Sequence, residues 1–146
     1  MLLENLNNME ETLQKLQDTF QRHDHNGLNS NEVKKVSFIT YTTLGGGNVF
    51  VATRPCIIKR VSEVHGGTAT GATVIEKLTG TTAVGSGTNL LTANFSLAVA
   101  SATVTNGTLT DTIGIPLSRG ERIGSWVSGS SVGLEHQCIT FEIEYI

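Results

Sequence analysis

The chain has 146 residues, of which 38% are hydrophobic and only 16% charged, with 16 glycines and a formal net charge of −3. That length accommodates one compact domain plus an appendage, and the charge balance leaves no basic stripe for nucleic acid to follow. No apolar run approaches the roughly 20 residues that cross a bilayer, and Glu4, Asn5, Asn7 and Asn8 interrupt any signal-peptide core, so a chain made in the cytoplasm with no membrane partner is the expectation.

The first element is a helix over residues 2–23. Leu6, Leu13 and Phe20 fall on a positions and Leu2, Met9, Leu16 and His23 on d positions of a heptad repeat. Asn5, Glu10, Thr12, Gln17 and Thr19 at e and g are polar, which narrows the apolar stripe to a coiled-coil seam that one helix cannot bury alone. Leu and Phe at a do not make the β-branched layer of a dimer, and a parallel homotrimer is the expectation. The competing reading is an amphipathic helix lying on its own domain. Charge separates this arm from the rest: residues 1–32 hold six acids against Lys15 and Arg22, whereas the remainder holds seven acids against eight bases.

Residues 23–35 form a turn-rich linker opening with His23-Asp24-His25-Asn26-Gly27-Leu28-Asn29-Ser30. Asn-Gly and Asn-Ser stop the helix. In a trimer three copies of His23 face the threefold axis, and an extended exit places His25 on the same side. Six imidazoles at one axial point suit an octahedral first-row transition metal. A helical exit instead points His25 away, and the competing reading is that both histidines are solvated turn residues. A calcium-binding EF-hand loop is excluded, because placing Gly27 at its glycine position puts Arg22 and Val33 where the first and last ligands belong.

From residue 36 to 146 the period changes to two. The clearest strand is the last, where Ile139, Phe141, Ile143 and Tyr145 alternate with Thr140, Glu142 and Glu144. Further strands are expected over 36–43, 48–53, 56–64, 72–78, 89–99, 103–115 and 121–128, separated by glycine-rich turns. Short strands at this spacing mean an antiparallel β-sandwich or barrel, and the uneven turns favour a jelly-roll-like sandwich. Asn106-Gly107, flanked by Thr103-Val104-Thr105 and Thr108-Leu109-Thr110, reads as a tight hairpin. Pro55 and Pro116 read as strand-entry or edge residues.

Chemistry is sparse, and an enzyme is not expected. No Gly-x-Ser-x-Gly elbow occurs, and Gly85-Ser86-Gly87 reads as a loop tip. No Gly-Lys-Ser/Thr follows a glycine-rich stretch, so no phosphate loop is present. His65 and His136 read as isolated residues near strand ends, and no interior cluster of His and Glu points to a cupin-type metalloenzyme. Cys56 and Cys138 lack disulfide-framework or zinc spacing and read as buried free thiols on strands. Trp126 and Tyr41 read as core aromatics, with sugar-stacking platforms the alternative.

The run from His23 to Ser30 resembles the His-x-His-Asp/Asn-Gly-x-Asn/Asp-Ser element that precedes β-rich domains in tailed-bacteriophage virion proteins. Lys77-Leu78-Thr79-Gly80-Thr81-Thr82, Gly87-Thr88-Asn89-Leu90-Leu91 and Leu117-Ser118-Arg119-Gly120-Glu121-Arg122-Ile123-Gly124 are similar to stretches of phage head decoration proteins and head fibres. Asp often stands at the place of Glu121 in that pattern. The resemblance implies a structural component of the virion, a homotrimer gripping the major capsid protein or another virion protein as cement or surface projection. It also implies an axial metal on His23 and His25. The alternative within the same architecture is a tail-fibre or baseplate adhesin that reads a host-surface glycan.

Overall fold

The computed structural model describes Thr12, residues 33–40 and residues 46–146. The heptad positions Leu2, Leu6, Met9, Leu13, Leu16 and Phe20, together with His23, His25 and Tyr41, lie outside the described residues. The chain divides into residues 1–32 and a unit running from Val33 to Ile146.

In that second unit the strands are β1 (Val33–Thr40), β2 (Gly47–Val51), β3 (Cys56–Gly67), β4 (Ala72–Leu78), β5 (Thr88–Asn89), β6 (Phe95–Ser96), β7 (Thr105–Gly107), β8 (Ile115–Leu117), β9 (Arg122–Ser128) and β10 (Leu134–Tyr145). They pair antiparallel into two sheets. One runs β1-β10-β3-β7 with β8 also on β3, and the other β2-β9-β4-β5 with β6 also on β4. β1 begins at Val33, inside the expected linker.

The alternation read in the last strand places Ile139, Phe141 and Ile143 in the core, fully buried, and leaves Thr140, Glu142 and Glu144 half-buried on the other face. On β3 the inward set is Cys56, Ile58, Val61, Glu63 and His65. The step from 58 to 61 breaks the period of two, and a register shift between Glu142 and Ile143 on β10 absorbs it. A bulge at this point returns the downstream residues to the buried face. Residues of both sheets share one apolar cluster that includes Ile58, Ile75, Ile123, Ile139, Phe141 and Ile143. Burial of each such side chain contributes about 1.5–3 kcal/mol. A smaller cluster of Ala69, Leu97 and Leu134, with Val127 against it, lies farther along the same strands.

Two expected strands are shorter than their hydrophobicity suggests. Of residues 89–99, only Asn89 and Phe95–Ser96 pair with β4. Between them the chain crosses toward residues 108–110, where Leu91 bridges Leu109 and Thr110 N–H donates to Leu90 O at 2.8 Å. Of residues 103–115, only Thr105–Gly107 and Ile115 join β3. The Asn106-Gly107 hairpin is thereby corrected, because both residues lie within β7, opposite Ser62 and Val61. Gly107 serves close approach instead of a turn: a Cβ there would stand 2.7 Å from Leu91 Cδ2 and 2.9 Å from Phe95 Cζ. Pro55 immediately precedes β3, and Pro116 lies in β8, which pairs only with β3 among the described strands.

The two sheets differ in how their outer faces are treated. On β4 the outward residues Val74, Glu76 and Leu78 are 3%, 2% and 0% exposed. The connection from Thr79 to Gly87 doubles back over Glu76 and Leu78, bringing Gly87 so close that a Cβ would lie 2.6 Å from Leu78 Cδ2. The turns at the far end of the sheets are equally tight. Gly67 has φ +66°, and a Cβ on it would fall within 2.0 Å of Gly133 O. Gly67→Ala therefore adds left-handed strain to a backbone clash. We expect a loss of about 2–3 kcal/mol in chemical denaturation, and a wild-type midpoint would refute this packing.

Candidate functional site

Between the two apolar clusters lies a layer of polar side chains. Glu63 and His65 enter it from β3, Gln137 from β10 and Thr73 from β4, and all four are 0–2% exposed. The register makes the meeting inevitable, since Gln137 stands opposite His65 and the inward face of β3 offers Glu63 next to it. Glu63 Oε1 accepts from Gln137 Nε2 at 2.8 Å and contacts His65 Nδ1 at 2.9 Å. Gln137 Nε2 also reaches Thr73 Oγ1 at 2.6 Å. His65 Nε2 lies 3.2 Å from Val99 O, and a carbonyl only accepts, so Nε2 carries a hydrogen. Glu63 Oε2 is buried with no hydrogen-bond partner among the described residues.

This grouping has the residue types of a hydrolytic relay but not its geometry. The hydroxyl of Thr73 is bonded to Gln137, and the side chains of Glu63 and His65 are 0% exposed, so no substrate reaches the imidazole. What it does is mechanical: it ties β3, β10 and β4 together and, through Val99 O and the bond from Ala102 N–H to His65 O at 2.8 Å, pins the connection between β6 and β7.

A second arrangement fixes the Thr79–Gly87 connection. The Glu76 carboxylate accepts from Gly85 N–H and, at 3.0 Å, from Gly87 N–H. Arg122 donates from Nη2 to Gly80 O at 3.0 Å and to Thr82 O at 2.9 Å, and from Nη1 to Asn48 Oδ1 at 2.9 Å. A carboxylate thus holds the loop's amides and a guanidinium its carbonyls, which leaves Thr81, Ala83 and Ser86 exposed on a stiffened backbone. Gly85-Ser86-Gly87 is thus a loop segment clamped over a sheet.

At the same end, Lys77 Nζ bonds Glu121 Oε2 at 2.8 Å and Pro116 O at 2.8 Å, and Ser118 N–H donates to Glu121 at 2.7 Å. Burial disfavours the charged form of Glu121, but the Lys77 hydrogen bond, the Ser118 amide and the Lys77 charge outweigh it and hold the carboxyl below the ordinary glutamate range. A carboxyl whose folded value is depressed stabilises the fold above the unfolded value of about 4.3. That contribution disappears as pH falls through the folded value. Glu121→Gln should therefore flatten the acid limb of the stability curve below about pH 4.5 relative to wild type, and melting temperatures between pH 3 and 7 measure it. Parallel curves would remove the ion pair from the account.

The thiols are free. Burial pushes the Cys56 thiol up, Arg54 pulls it down and Glu121 pushes it up again, with a net rise, so Cys56 is a protonated core residue. Cys138 is half-buried on the outward face of β10, which corrects its reading as a buried thiol. Trp126 is half-buried on β9, and its buried indole Nε1 has no partner among the described residues. His136 is exposed, whereas His65 is the buried partner of Glu63 and not an isolated residue. No group of three or more His, Cys, Asp or Glu that could hold a metal occurs among the described residues. The polar layer escaped the sequence reading, although the period of two through Val61, Glu63 and His65 carries the signal that would have turned these side chains inward.

Comparison with family models, with curated proteins and with solved structures yields no match.

Proposed function

We propose that this chain is a structural virion protein of a tailed phage, a homotrimeric capsid decoration protein or head fibre. Its leading arm trimerises, and its β domain is a jelly-roll sandwich carried as the projecting or clamping body. The observation that carries the fold is strand order. The sheets take β1, β10, β3 and β7/β8 on one side and β2, β9, β4 and β5/β6 on the other, the alternation that two nested Greek keys produce. Jelly rolls serve in viral capsids and lectins, so the step from fold to virion is analogy, joined here to the resemblance of the His-x-His run and the loop motifs.

The internal chemistry supports a mechanical role. Buried ionisable groups are used to tie strands and clamp a loop, and the Glu63–His65 pair is closed to solvent. Trimerisation would let three weak surface contacts act as one. The second reading, an adhesin that binds host glycan, draws on the stiffened Thr79–Gly87 loop, since a preorganised exposed loop binds with less ordering cost. His23 and His25 are proposed axial metal ligands in either case, and metal content of the purified chain compared with His23→Ala and His25→Ala tests that directly.

Gold-labelled antibody on intact particles decides the location. Label over the head lattice is expected. Label on the tail replaces the decoration role with adhesion, and particles without label overturn the virion assignment.

A further inference from the structure

We propose that the connection from Ala98 to Val104 is a hinged flap that lifts from the β domain and bares the buried Glu63–His65 pair to solvent. Such a flap belongs to a single domain, whichever assembly the chain forms.

Both ends of the segment are anchored. Leu97 is fully buried in the small cluster with Ala69 and Leu134. It accepts from Ala69 N–H at 2.9 Å and donates to Gly71 O at 3.0 Å. Thr105, on the other side, enters β7 opposite Glu63. Between these anchors Val99 is half-buried, whereas Ala98, Ala100, Ser101, Ala102, Thr103 and Val104 are exposed. Lifting the segment therefore takes little apolar surface out of the core. Two bonds to His65 tie it down: Ala102 N–H donates to His65 O at 2.8 Å, and His65 Nε2 donates to Val99 O at 3.2 Å.

The seated flap carries two costs that lifting relieves. Ala102 has φ 60° and is the one non-glycine residue with positive φ among the described residues, so its Cβ is held against the backbone in the left-handed region. Glu63 Oε2 is buried with no hydrogen-bond partner among the described residues, and a carboxylate oxygen in that state gains free energy when water reaches it. Opposing these are the two bonds to His65, whose groups water satisfies once the flap is up. The sheet beneath is bound far more tightly. β10 pairs with β1 on one edge and β3 on the other, and Ile139, Phe141 and Ile143 are fully buried. A segment that buries so little opens at a lower free energy than the strands it covers. What it uncovers is specific, because the Nε2 edge of the imidazole faces Val99 O. Lifting presents that edge and the Glu63 carboxylate to water, with Gln137 and Thr73 beside them.

Hydrogen exchange of the full chain, followed by NMR at urea concentrations below the unfolding transition, tests this directly. The Ala102 amide and the His65 Nε2 proton report on the flap, and the Ile139 and Phe141 amides on the sheet. Both flap protons are expected to give one opening equilibrium constant, at least about a hundredfold larger than that of the sheet amides. Urea should leave it nearly unchanged, since little surface is exposed, while the sheet amides follow the full urea dependence of unfolding. If the Ala102 and His65 protons open no more readily than the sheet amides and with the same urea slope, the segment leaves only on global unfolding and the flap is overturned. A readily exchanging Ala102 amide beside a His65 proton that waits for global unfolding overturns it too, by showing a fraying turn that never uncovers the pair.

Discussion

Glu63→Leu should cost about 3–5 kcal/mol of folding free energy, although leucine is apolar and the site is buried. The substitution removes the oxygen that accepts from Gln137 Nε2 and contacts His65 Nδ1. His65 and Gln137 remain in the interior, at 0–2% exposure, each with one hydrogen bond fewer. A hydrogen bond lost in the interior costs of order 1–3 kcal/mol. Glu63→Gln preserves the shape and one acceptor oxygen and should lose about half as much. On a domain of this size the leucine variant should melt about 10 °C or more below wild type. A Glu63→Leu protein within about 1 kcal/mol of wild type would mean that the layer is replaceable packing and not a tie between sheets. Replacing Glu63, His65 and Gln137 together by apolar residues of matched volume should recover much of the loss, because removing a whole buried network costs less than removing one member.

Leu13→Asp together with Phe20→Asp should separate the proposed trimer while leaving the β domain folded. Both residues fall on a positions of the heptad repeat, and in the proposed seam each apolar side chain would be worth about 1.5–3 kcal/mol. Each aspartate also places like charges near the axis in three copies. Association should weaken by about a thousandfold or more, since every 1.4 kcal/mol is a factor of ten. The thermal unfolding of residues 33–146 at a fixed low concentration reports on the body, and dilution experiments report on the arm. Unchanged association of the double variant would take the seam out of the assembly.

These two sites were unequally visible in the sequence. The strands over 56–67 and 134–145 could be read because their alternation is long and one face is apolar. Glu63 and His65 continue that alternation, so their inward direction was legible. Their partners were not, because only strand pairing brings Gln137 and Thr73 to them from positions 74 and 64 residues away for Gln137's bonds to Glu63 and Thr73. Glu76 shows the opposite failure. Its position on β4 points it outward, and it is buried because a later loop returns to donate two amides to it, an event without a local signature. Leu90 and Leu91 look like the middle of a strand because they are apolar, yet they lie between β5 and β6, where the chain crosses from β4 toward residues 108–110. Asn106-Gly107 carries the residues of a turn, and the packing of Leu91 and Phe95 against Gly107 explains the glycine instead. The heptad of the arm is the strongest pattern in the chain, and its positions lie outside the described residues.

The mass of the full chain in solution tests the central proposal most directly. Sedimentation equilibrium across a hundredfold range of concentration should give three times the chain mass at the upper end. A species that stays at one chain mass throughout, with the arm's helical signal intact, would contradict it.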